Sequence, residues 1–427
     1  MTRVATGLER LRTEPELQKL LRGRRVGLLA HAASIDTDFR HAQDIVAELG
    51  DLRVLFGPEH GFAADAQDME PVAEDGEASK AAPSSNAISP GVSSPGVSSP
   101  SSPAPGASSP RVISLYGTYP EDLSPRQEHL EDLDVLVVDL QDVGSRYYTY
   151  VWTAAFALRA CARAGVHVVV LDRPNPIGGN LREGAPQRPA YRSFVGLYEV
   201  PVRHGLTLGE LVLLCAGRER IDRSRYTLVT MKGWKRAMHF GDTGLPWVLP
   251  SPNMPTVDTA LVYPGGCILE GTTLSEGRGT TRPFELFGGP GVDGEAIAAA
   301  HADLAERCGA RLRPLHFTPT VRDHAGVRCG GVQVHIIEPA RFRSVTLYRS
   351  LIASMVRARA PEAPWRTEPY EYERHRPAID LLTGNVIYRQ LVNAVVHGEA
   401  GADQALDDFH ADEQRAADAF EAQTLYA

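Results

Sequence analysis

The chain has 427 residues, 43% hydrophobic and 23% charged, with a net charge of −9. That length suits two domains with real cores, and the acidic balance gives no electrostatic footprint for nucleic acid or for an anionic membrane. No run approaches the about 18 apolar residues of a membrane span, the N-terminus lacks a secretory apolar core, and five scattered cysteines lack any C-x-x-C spacing. The expectation is a cytoplasmic protein with reduced thiols and with no metal or cofactor.

In chain order, near-continuous apolar runs at 25–30 (RVGLLA), 52–56 (LRVLF), 111–115 (RVISL), 134–140 (DVLVVDL) and 167–171 (HVVVL) read as strands buried on both faces. Phe39, Ala42, Val46 and Leu49 share one helical face, stopped by Gly50. Residues 80–110 are almost all Ser, Pro, Ala and Gly, too poor in large apolar side chains to offset their ordering entropy. They read as a disordered insertion. Val151, Ala154, Ala155, Leu158 and Ala162 define a helix before Gly165, and Thr207 to Glu210 form a capping box opening another. Strand–helix–strand alternation predicts right-handed crossovers and an α/β, Rossmann-like open parallel sheet over residues 1–221. Beyond it, strand patterns at 226–231 and 331–337 mix with helices near 294–308, 345–356 and 386–396. These predict a smaller α+β C-terminal domain over 222–427 that completes a cleft.

Open parallel sheets bind ligands beyond the carboxyl ends of their strands. Each of the five predicted strands is followed there by polar groups: His31; Glu59 and His60 in GPEHG; Tyr116; Asp142, Arg146 and Tyr148; Asp172 and Asn175. Glu59, pinned between Pro58 and glycines, suits the proton donor that glycoside hydrolysis requires. It could equally cap a helix or pair with Arg53 or Arg146. Asp142 and Arg146 could pair with each other. The loop from Glu270 to Glu285 carries Glu276, Arg278 and Arg282 among glycines that allow close approach to a ligand, and arginine can clamp a carboxylate. Asn253, in a proline-braced turn, suits sugar hydroxyls. No G-x-G-x-x-G follows the first strand, and no P-loop or G-x-S-x-G elbow occurs.

The strings FGPEHG, SLYG, QDVGSRYYTY, DRPNPIGG, VPVRHGLTLGEL, GDTGLPWVLPSPNMPT and EGTTLSEGRGTTRPFE together resemble the NamZ-type exo-β-N-acetylmuramidases, from about residue 7 to beyond residue 384. The resemblance implies an enzyme releasing N-acetylmuramic acid from non-reducing ends of peptidoglycan fragments, with its site between a Rossmann-like domain and a smaller C-terminal one. It implies Glu59 as the catalytic residue and Tyr116 as a site residue; in the mechanism expected from these motifs, Tyr116, His60 and Asp142 orient the sugar or a water. The second carboxylate stays open among Asp142, Asp172, Glu270 and Glu276, and Arg278 or Arg282 would meet the lactyl carboxylate. His31, Arg146, Tyr148, Asp172, Asn175, Asn253, Glu270 and Glu276 complete the expected substrate-binding set. Typical members carry a compact acidic, glycine-rich turn in place of the Ser/Pro segment, and many are exported. Two competing readings are a non-catalytic wall-glycan-binding protein and a nucleotide-dependent enzyme; the second requires a phosphate loop that the sequence lacks.

Overall fold

The computed structural model describes residues 3–64, 66, 109–360 and 362–427. The expected disordered insertion at 80–110 lies outside them except for Ser109 and Pro110. Six strands form one parallel sheet: β1 (Arg25–Ala30), β2 (Asp51–Gly57), β3 (Arg111–Ser114), β4 (Val135–Asp139), β5 (His167–Leu171) and β6 (Tyr226–Val229), in the order β3-β2-β1-β4-β5-β6. The order reverses between β1 and β4, the doubly wound pattern of a Rossmann-like sheet. Alternate residues serve opposite faces. Val26, Leu28 and Ala30 pack under the Gly7–Thr13 and Ala42–Leu49 helices, whereas Leu29 joins Val54, Phe56, Val138 and Val170 on the other side. Neither face meets water, which is why these strands read as unbroken apolar runs.

Two expectations need correction. The 226–231 strand does not open the second unit: Tyr226–Val229 pairs parallel with β5, so the first sheet runs past residue 221. Phe39 lies outside the Ala42–Leu49 helix, with φ +59° and 68% exposure. His41 caps that helix with its ring, so the helix begins after the position the periodicity suggested.

The C-terminal unit has a three-stranded antiparallel sheet, β7 (Leu286–Gly289), β9 (Cys329–Ile336) and β8 (Ala310–Phe317), with helices including Ser344–Ala358, Ile387–Val396 and Ala402–Asp418. One hydrophobic cluster runs from Phe56 and Val138 to Val332, Leu347 and Tyr388, so the two units share a core. Buried charges tie the seam. Glu183, fully buried, accepts from the backbone amides of Ser344 and Val345 and caps the Ser344–Ala358 helix from the other unit. Arg203 donates to the Phe342 carbonyl and Arg146 to the Leu382 carbonyl. Among the described residues no helix is long and apolar enough to cross a membrane.

Candidate active site

The sheet's carboxyl edge and the C-terminal unit meet at a narrow cleft. Glu59, His60, Tyr147, Tyr148, Thr149 and Val195 line it from one side. Glu270, Arg278, Phe284, Tyr370 and Glu371 line it from the other, with Ser251, Asn253, Met254 and Tyr263 between.

Glu59 is delivered by a tight turn. β2 ends at Gly57, the Gly61 amide bonds back to the Pro58 carbonyl, and His60 takes a left-handed φ of +69°. A non-glycine residue there is strained, and such strain persists where the surroundings demand it. The His60 ring is committed to the Ala66 carbonyl at 2.9 Å. Glu59 is 5% exposed and accepts from the Thr149 hydroxyl at 2.5 Å. Thr149 is the N-cap of the Tyr150–Ala164 helix, yet its hydroxyl makes no capping bond to that helix. A cap given up for a carboxylate costs about 1 kcal/mol of helix stability and places Glu59 beside the positive end of the helix dipole. Burial pushes the Tyr147 and Tyr148 phenols well above their usual range, so both stay protonated.

The opposite wall centres on Arg278. Its guanidinium meets Glu270 at 2.5 Å and Glu276 at 3.0 Å and lies over the Phe284 ring. Tyr370 donates to the other Glu270 oxygen at 2.7 Å. Gly277, with φ +77°, makes this packing possible: a Cβ there would sit 2.2 Å from the Leu286 carbonyl oxygen. Two carboxylates share one arginine, and burial pushes Glu276 up to about 7, which relieves the excess negative charge near neutrality. Glu371 accepts from the Tyr116 hydroxyl at 3.1 Å, and the Tyr372 hydroxyl donates to the Gly117 carbonyl. Glu371 and Tyr372 have successive left-handed φ values of +45° and +64°. The wall's irregular chain is thus strained where it meets the cleft.

Two family models match the chain: exo-β-N-acetylmuramidase NamZ, N-terminal, over residues 26–85 and 101–258, and its C-terminal counterpart over 261–425. The chain is 40% identical, over 83% of its length and 77% of the relative's, to the peptidoglycan β-N-acetylmuramidase NamZ of Bacillus subtilis (strain 168). The chain belongs to the NamZ exo-β-N-acetylmuramidase family. Membership makes it a glycosidase and removes the support for a purely glycan-binding or nucleotide-dependent protein. A crystal structure of a DUF1343 family protein from Bacteroides fragilis NCTC 9343 superposes over 100% of both chains with a TM-score of 0.75 at 30% identity. A second from the same organism, at 24% identity and a TM-score of 0.65 over 97% of this chain and 96% of that one, shares the fold.

Against this NamZ-family frame, Glu59, His60, Tyr148, Asn253, Glu270 and Arg278 line the cleft. Tyr116 touches it through Glu371, and Glu276 through Arg278. The other expected residues do not line this cleft. Arg146 is fully buried on the carbonyls of Ala185, Val200 and Leu382 rather than paired with Asp142. Asp142 instead accepts from the Gly144 amide at 2.7 Å and lies 3.5 Å from His204. His31 accepts from the Gln141 amide, and burial holds it well below its usual pKa, hence neutral. Asp172 takes bonds from Thr207, Gly209 and Tyr426, though burial still lifts it to about 6. Asn175 braces its own turn and the Leu206 carbonyl. Arg282, 44% exposed, pairs with Glu285 away from the cleft lining. Thr149, Tyr370 and Glu371 also line the cleft and were not among the residues expected from the sequence.

Proposed function

We propose that the chain is an exo-acting β-N-acetylmuramidase that releases N-acetylmuramic acid from the non-reducing ends of peptidoglycan fragments, with Glu59 as proton donor to the glycosidic oxygen. The observation that carries the reading is the convergence of Glu59 and Glu371, from opposite units, on one cleft in a chain of this family. Most glycoside hydrolases use two carboxyl groups flanking the scissile bond, although an N-acetylated substrate can supply its own acetamido group in place of the second. We assign Glu371 as the second, because Asp142 and Asp172 are bound into turns and Glu270 is held by Arg278 and Tyr370.

Thr149 orients Glu59, and Tyr116 orients Glu371. Arg278 is the group suited to the lactyl carboxylate of muramic acid. A cleft walled by Tyr147, Tyr148, Tyr263, Phe284 and Tyr370 favours entry of a chain end over passage of a whole strand. The five cysteines are buried and unpaired, which favours work on fragments in a reducing compartment. The test is Glu59→Gln with fragments of known sequence and chromatographic identification of products. Wild type should yield free N-acetylmuramic acid stepwise from the non-reducing end. The variant should lose about 10³-fold in turnover with an unchanged melting temperature. Internal cleavage products, or near-normal turnover, would overturn the reading.

A further inference from the structure

A hollow with about 280 Å³ of free space opens at the amino edge of the parallel sheet. It lies between the C-terminal ends of the Tyr150–Ala164 and Leu208–Arg218 helices and the turn that leads into β6. Arg159, Arg163, Arg220 and Arg225 face it, together with Glu219 and Asp222. The Tyr150–Ala164 helix has 15 residues, so its last turn is roughly 20 Å from Thr149 and the catalytic cleft. The proposed muramidase chemistry uses nothing at this end of the molecule.

The lining sets four arginines against two acids, a formal charge of +2 in a chain of −9. Both acids are already spent. Glu219 accepts a bidentate pair from Arg159, at 2.6 and 2.7 Å, and a third bond from the Tyr198 hydroxyl. Asp222 accepts from the Ser224 amide and hydroxyl and so caps the next turn. Arg163, Arg220 and Arg225 are exposed, and their side chains make no hydrogen bond or ion pair among the described residues. A helix C-terminus favours a cation in its last turn, which accounts for Arg163. Arg220 and Arg225 lie beyond both helices.

Arg220 also sits where the backbone disfavours it. Its amide bonds to the Gly217 carbonyl and the Ile221 amide to the Ala216 carbonyl, closing the Leu208–Arg218 helix. This puts Arg220 in the left-handed region, at φ +55°. Glycine is the residue that fits such a position without strain, and the neighbouring helix ends on Gly165 at φ +79°. A strained arginine in a glycine position points to a side chain kept for what it binds. Three uncommitted guanidiniums around one hollow present forked donors to a tetrahedral dianion. A phosphate group, with five heavy atoms, fills only part of the space and leaves room for a small attached body. We propose that this hollow is a binding site for a phosphate dianion, carried on a small ester or free, held by Arg163, Arg220 and Arg225 and separate from the catalytic cleft.

The test is isothermal titration of the full chain with glucose 6-phosphate, with inorganic phosphate and with glucose. Ionic strength is held fixed, because salt screens exposed charges. Both phosphates should bind saturably and glucose should not. Tighter binding of glucose 6-phosphate than of phosphate supports the site with an ester as its occupant, and equal binding supports it with free phosphate. Arg220→Gly and Arg225→Gln should each weaken binding by about tenfold or more. Arg220→Gly should also keep or raise the melting temperature of the unliganded chain, since glycine relieves the left-handed strain; lost binding then cannot be misfolding. Turnover on the β-linked disaccharide of N-acetylmuramic acid and N-acetylglucosamine should stay within about twofold of wild type in both variants. No saturable binding of either phosphate below about 10 mM, or binding left intact by either variant, would overturn the site. Loss of turnover in step with loss of binding would overturn it too, by placing the anion in the cleft.

Discussion

Glu59 and Glu371 reach the same cleft from walls of different construction. The Glu59 wall rises directly from regular structure: a strand end, a four-residue turn and the cap of a 15-residue helix. The Glu371 wall is irregular chain after residue 364, held by hydroxyls that cross between units, Tyr116 to Glu371 and Tyr372 to the Gly117 carbonyl. The first wall is rigid because burial on both sheet faces leaves it nowhere to go. The second is positioned by a few polar contacts and by strain at two successive left-handed residues. A site made this way has one fixed carboxylate, the proton donor in the proposed reading, and a partner wall whose geometry depends on the seam between units.

That contrast can be sharpened at Arg278, the ionic centre of the irregular wall. Arg278→Lys keeps a positive charge but cannot bridge Glu270 and Glu276 with a planar fork. We expect kcat/KM on muramic substrates to fall about 10–100-fold, by about 1–3 kcal/mol, with a smaller loss on a glycoside lacking the lactyl carboxylate. Equal losses on both would assign Arg278 to scaffolding alone.

A smaller effect is expected from pH. Glu276 titrates near 7 in the folded chain, raised chiefly by burial from an ordinary 4.5. A carboxyl with a raised folded-state pKa favours the fold while protonated. That contribution is complete below about 4.5 and is lost as pH rises through about 7, amounting to about 3 kcal/mol at most. The Glu276→Gln variant cannot ionise there. Its melting temperature relative to wild type should therefore climb between pH 5 and pH 8. A difference that stays flat over that window would contradict the buried, protonatable Glu276 described above.

Much of this was legible in the chain itself, for physical reasons that also mark the limits. The 25–30 and 167–171 runs match β1 and β5 residue for residue, and the Thr207 capping box forms as expected, because local periodicity and cap chemistry act over a few residues. Strand ends pointed to Glu59 for the same reason. Asp142, Asp172 and Asn175 sit at equivalent ends, yet their side chains satisfy backbone amides and carbonyls of turns and helix starts. Polarity at a strand end does not distinguish a ligand contact from a cap. Glu371 was invisible because the chain between Pro369 and Pro377 has no period to read, and its approach to Tyr116 spans 255 residues. The two glutamates and two tyrosines alternating between those prolines were the available signal.

The most direct test of a site built jointly by the two walls is the rate of N-acetylmuramic acid release by Glu371→Gln, measured on the disaccharide at saturating substrate. The account predicts a loss of about 100-fold or more, with little further loss when Glu59→Gln is added, since groups acting as one unit are not additive. A Glu371→Gln enzyme turning over at close to the wild-type rate would contradict it.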